Sequence, residues 1–124
     1  MAALRESPNL GDLLKYEAPN LYSRDVTTVA AGQNIKLGTV VARDANDKLV
    51  ALDPTSVESN AIAVGVLAFD VDASLIDRAD AILIARHAIV ASQALIWPDA
   101  ITVEEQTAAI KQLTAAGVLV RQSA

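Results

Sequence analysis

The chain has 124 residues, with 10 basic against 15 acidic side chains and a formal charge of −5. Apolar residues make up 52%, which excludes a disordered chain, and the acidic balance argues against a direct nucleic-acid binder. With no cysteine and a single histidine, disulfide scaffolds, thiol catalysis and most zinc sites are excluded, so neither a cofactor nor a metal is expected.

Residues 1–21 stand apart from the rest. They hold Pro8 and Pro19, mixed charges, and apolar side chains at Leu10, Leu13, Leu14 and Tyr16 without a sustained period. One or two turns of helix there are marginal in isolation. The segment is therefore expected to be a mobile N-terminal arm with an apolar centre, preceding a β-rich domain over residues 22–124. Residues 22–29 are rich in β-formers, and residues 30–34 supply a turn. Ile35 and Leu37 lead into a strand over 38–43. Asp44, Asn46 and Asp47 form a turn, and residues 48–52 return as the second strand of a hairpin. A polar loop follows to Asn60. Residues 61–69 then read as one long buried strand, and residues 81–85 and 88–91 as two more on either side of Arg86 and His87.

The one clear helix runs from Val103 to Ala116. Thr102 and Glu105 have capping-box spacing, Glu104 and Glu105 suit the positive end of the helix dipole, and Ala109, Ile110, Leu113 and Ala116 make an apolar stripe. Gly117 is placed for a left-handed cap, and residues 118–121 close the chain as a strand. The expected class is α+β: a small, barrel-like β-rich domain with one C-terminal helix.

Catalytic groups do not assemble on this pattern. His87 and Ser92 lack the local context of a nucleophile motif. Asp70, Asp72 and Ser74 open like a calcium loop, but Leu75 stands where the loop needs glycine and Ala81 where it needs glutamate. An acidic solvated loop is expected instead, and no enzyme activity. The longest uncharged stretch, His87 to Pro98, is about half a membrane span, and the N-terminus lacks the apolar run of a signal peptide. The expectation is a soluble intracellular protein with no membrane partner. Trp97, the single tryptophan, precedes Pro98, which holds it extended; it is expected to anchor the entry into the helix, with a place at a subunit contact as the alternative.

The run Tyr22-Ser-Arg-Asp-Val-Thr-Thr-Val-Ala-Ala-Gly-Gln-Asn-Ile-Lys-Leu-Gly-Thr-Val-Val41 resembles the opening of the head decoration proteins of tailed phages, the lambda-type capsid-stabilising family. Residues 50–54, the strand from Ala63 with Asp70 to Ala73 behind it, and Ala94-Leu-Ile-Trp-Pro98 before a capped helix follow in the same order. The resemblance spans about residues 10–121 and leaves the first nine outside. It implies homotrimers on the outer surface of the expanded head, at three-fold and quasi-three-fold positions. There they clamp the major capsid protein and stabilise the shell against packaged DNA, after assembly in the host cytoplasm. It further implies attachment through the arm, with Leu10, Leu13, Leu14 and Tyr16 as contact residues and Tyr22 at the hinge. Trp97, Pro98, Thr102, Glu105 and Gly117 are expected to be structural. The rival expectation is a small β-barrel accessory domain that binds a ligand or a larger enzyme, with residues 32–41 as its barrel motif.

Overall fold

The computed structural model describes residues 9–122. In chain order the elements are α1 (Leu10–Leu13), β1 (Leu14–Glu17), β2 (Arg24–Val29), β3 (Gln33–Ile35), β4 (Val40–Arg43), β5 (Leu49–Ala51), β6 (Gly65–Leu67), β7 (Val71–Ala73), β8 (Arg78–Ile84), β9 (Ala88–Ala91), α2 (Val103–Ala116) and β10 (Val118–Arg121). Five strands make a barrel-like ring in the order β2-β5-β4-β6-β8. Its seam between β2 and β5 is one residue pair, Val29 with Leu49, so the ring is barrel-like rather than fully zipped.

Strand alternation sends successive side chains to opposite faces of the ring wall, and around β4, β6 and the second half of β8 both faces are apolar. Val29, Val41, Leu49, Leu67, Ala81 and Leu83 fill the interior. Val40, Ala42, Val66, Ala68 and Ile84 face outward into a second core. Over that outer core lie α2, through Ala109 and Leu113, and a three-stranded sheet β1-β9-β10, through Ala88, Val90 and Val118. β1 runs antiparallel to β9 and β10 runs parallel to it. β3 and β7 pair separately as a two-stranded ribbon.

Helix α2 begins where its cap directs. The Thr102 hydroxyl accepts the Glu105 N–H at 3.1 Å, and the Glu105 carboxylate accepts the Thr102 N–H at 3.0 Å. It ends at Gly117, whose φ of 98° lets its N–H reach back to the Leu113 and Thr114 carbonyls. Thr102→Ala removes the hydroxyl that accepts the Glu105 N–H and leaves that N–H without its cap, so a loss of about 0.5–2 kcal/mol is expected in a urea titration.

Three expectations change. The strand expected over 61–69 is paired as β6 only over Gly65–Leu67. Ala61 ends a tight turn, Ala63 donates its N–H to the Gln112 side chain on α2, and Ile62 and Phe69 are exposed. The acidic stretch after Asp70 is a solvated loop only in part: Val71–Ala73 is β7 and the Asp70 carboxylate accepts the Leu37 N–H at 2.8 Å, while residues 74–77 are an exposed connection. Gln33 and Asn34, expected in a turn, form β3 opposite Ala73 and Asp72.

The N-terminal segment differs most. From Leu10 onward it belongs to the fold rather than to a free arm. Asn9 and Asp12 form a capping box on α1, and β1 pairs with β9. Leu13 is fully buried in the outer core, with Leu10 and Leu14 packed against it. The physical reason is that a four-residue helix need not be stable alone when its apolar side chains complete a core and the next strand extends a sheet. Residues 1–8 of the expected arm lie outside the described residues.

Candidate functional site

The three-stranded sheet buries one face in the core; on its outer face Tyr16 is exposed, Ile89 and Leu119 are half-buried and Ala91 is covered. Its register aligns Tyr16, Ile89 and Leu119 in a row across β1, β9 and β10. This row lies opposite the face that carries Val90 and Val118 into the core. Tyr16 is turned outward by a β-bulge. Leu14 pairs with Val90 and Tyr16 with Ile89, so Lys15 is the extra residue. Without it, simple alternation would put Tyr16 on the same face as Leu14, whose side chain packs inward. The bulge exposes Lys15 and Tyr16 together.

A groove of about 280 Å³ runs along this row, lined by Tyr16, Ala18, His87, Ile89, Gly117 and Leu119. Tyr22 extends it, with its ring centroid 5.1 Å from that of His87. Both tyrosines of the chain and its only histidine therefore meet on one exposed surface. Neither phenol hydroxyl has a hydrogen-bond partner among the described residues. His87 sits in the left-handed region at φ 50° and accepts the Ala18 N–H on its carbonyl, joining the segment after β1 to the turn before β9.

Ion pairs brace the rim. Arg86 donates to the Asp25 carboxylate at 2.6 Å and to the Tyr22 carbonyl at 2.8 Å, with its guanidinium 5.4 Å from the Tyr22 ring centre. Arg24 donates to both Glu17 oxygens, at 3.0 and 2.6 Å, and the buried Ser23 hydroxyl also donates to Glu17. The Arg24 hydrogen bonds hold the Glu17 carboxyl below its ordinary value, with burial opposing and Ser23 adding to the lowering. A lowered folded-state value means this contribution is present above the ordinary carboxylate range and is lost as pH falls through the lowered value. Glu17→Gln is therefore expected to flatten part of the loss of melting temperature that the wild type shows as pH drops below about 4.5. Thermal melts of both proteins from neutral to acid pH check it.

Of the residues expected to contact a capsid, the structure brings Tyr16 and Tyr22 to one surface. It places Leu13 in the core and leaves Leu10 and Leu14 half-buried against it. Ile89, Leu119 and His87 were not anticipated as surface partners. The only signal for Ile89 and Leu119 was strand alternation, and that needs to know which face is covered. A second concavity, of about 230 Å³, lies between Ile35, Lys36, Thr39, Ile96, Trp97 and Pro98. Trp97 is half-buried there, one side against the outer core and the other on the groove. Among the described residues no three His, Asp or Glu side chains gather as a metal site, and neither helix is long and apolar enough to cross a membrane.

The family model of the bacteriophage lambda head decoration protein D matches residues 3–118. The chain belongs to that family of phage head decoration proteins. A search of the curated proteins returns no match. The match starts at residue 3, so residues 3–9, which the sequence resemblance left out, fall within the family's span. It places this chain among structural proteins of the phage capsid and virion.

Proposed function

We propose that this protein is a non-enzymatic decoration subunit that binds the major capsid protein as a homotrimer on the outer surface of the expanded head. Trimers at three-fold and quasi-three-fold positions stabilise the shell against the pressure of packaged DNA. The observation that carries this reading is the family match across residues 3–118. The open sheet face supports it, since aromatic residues on an exposed apolar surface are enriched where proteins meet. Tyr16 and Tyr22 act as contact residues. Leu10, Leu13 and Leu14 serve by fixing β1 in place. Trp97 and Pro98 hold the entry to α2, which Thr102, Glu105 and Gly117 delimit.

The test adds purified protein to undecorated expanded heads of a tailed phage and images them. The expected result is three-lobed density at local three-fold positions, with heads that withstand heat or chelator better than bare ones. Heads that remain bare, or that carry isolated single subunits, overturn the reading.

A further inference from the structure

The open face of the β1-β9-β10 sheet is polar in one direction. At one end the chain turns at Ala18, His87 and Gly117; at the other stand Lys15 and Arg121. Arg121 shares its face with Leu119 by strand alternation, and Lys15 is the exposed bulge residue beside Tyr16. The two cations flank β9 from its two neighbouring strands. The nearby carboxylates are already engaged: Glu17 by Arg24, Asp25 by Arg86, and Asp12 by the Asn9 N–H. Among the described residues Lys15 and Arg121 have no carboxylate partner. Lys15 donates only to the Gly11 carbonyl and Arg121 to the neighbouring Val120 carbonyl. In a chain of net charge −5, an apolar row ending in two cations that no described carboxylate pairs is a local reversal of sign.

We propose that this face receives an extended acidic segment of the capsid surface, with an apolar side chain seated on Tyr16, Ile89 and Leu119 and a carboxylate held between Lys15 and Arg121. The inference rests on the decoration reading and adds the chemistry of the partner segment to it. Leu119 and Arg121 are two residues apart on one strand, about 7 Å. An extended partner running alongside matches that distance with an acidic residue two positions from its apolar anchor. The charge pair supplies direction and register, because the reversed segment puts its carboxylate over the His87 turn, away from both cations.

The experiment is co-sedimentation of the full chain with undecorated expanded heads, alongside light scattering of the free protein. Three forms are compared with the wild type: Lys15→Glu with Arg121→Glu, Tyr16→Ser, and a control with Lys36→Glu and Lys111→Glu. The control reversals are exposed, lie away from this face, and give the same net charge. Expected is a tenfold or greater loss of head binding for the Lys15/Arg121 variant and a clear loss for Tyr16→Ser. The control binds like the wild type, and self-association is equal in all four. Equal head binding by the Lys15/Arg121 variant, or an equal loss in the control, overturns the inference while the decoration reading stands. A Lys15/Arg121 variant that loses self-association instead assigns the face to a second copy of the chain and also overturns it. A wild type that does not bind heads overturns the decoration reading and this inference together.

Discussion

Leu13→Ala is expected to destabilise the protein by about 2–5 kcal/mol, the range for truncating a leucine that lies wholly within a core. Leu13 has no exposed surface and packs in the same cluster as Val90, Leu113 and Val118. Its loss opens a cavity where α1 meets β9 and the Ser92–Ala94 turn. A urea titration of the variant gives the value directly. A midpoint unchanged from wild type would mean that the segment before β1 is detached in solution. That outcome would restore the free arm suggested by the prolines and the broken apolar period of residues 1–21.

Gly38→Ala carries the second large effect. Gly38 has φ 91°, a conformation that costs an L-residue about 1–3 kcal/mol. A Cβ built there lies 2.4 Å from the Ala94 carbonyl oxygen, a backbone atom fixed by the turn that leads to Trp97. Relieving that overlap costs roughly another 1–3 kcal/mol. The crossing is tight because Gly38 bonds both ways: its N–H donates to the Leu67 carbonyl and its carbonyl accepts the Ile96 N–H. The expected result is a variant with a lowered melting temperature and a weakened Thr39–Ile96 bridge, seen as faster amide exchange at Ile96. A melt within a degree of wild type would show that the two segments separate without cost.

Much of the fold was legible where one face of an element is wet. Helix α2 announced both ends through Thr102, Glu105 and Gly117, and the hairpin of β4 and β5 was marked by Asp44, whose carboxylate accepts the Asn46 and Lys48 N–H groups. Short elements held by partners far along the chain were not legible. β3 and β7 carry Gln33, Asn34, Asp72 and Ala73, poor strand formers beside one Ile and one Val, and exist through one another, and β1 exists through β9. The open surface was half legible. Tyr16 and Tyr22 are conspicuous in a chain with 3% aromatics, but Ile89 and Leu119 read as core until the opposite face is seen to be covered.

The ring wall has a further consequence. In most strands a slip of one residue exposes grease and buries charge, so polarity alone keeps the alignment. For β6, Val40–Ala42 of β4 and the Ala81–Ile84 half of β8, both sides are dry, and a slip there trades one for the other. On β6 the two sides differ in bulk: Leu67 points into the ring, while Val66 and Ala68 point away. At Gly65 the wall leaves no room, since a Cβ there meets the Ile84 carbonyl oxygen at 2.5 Å and the Leu83 side chain at 2.7 Å. Around β6, alignment is thus held by volume where water affinity is silent. Substitutions that keep every residue apolar but exchange large for small are the ones able to make the wall ambiguous about its own pairing.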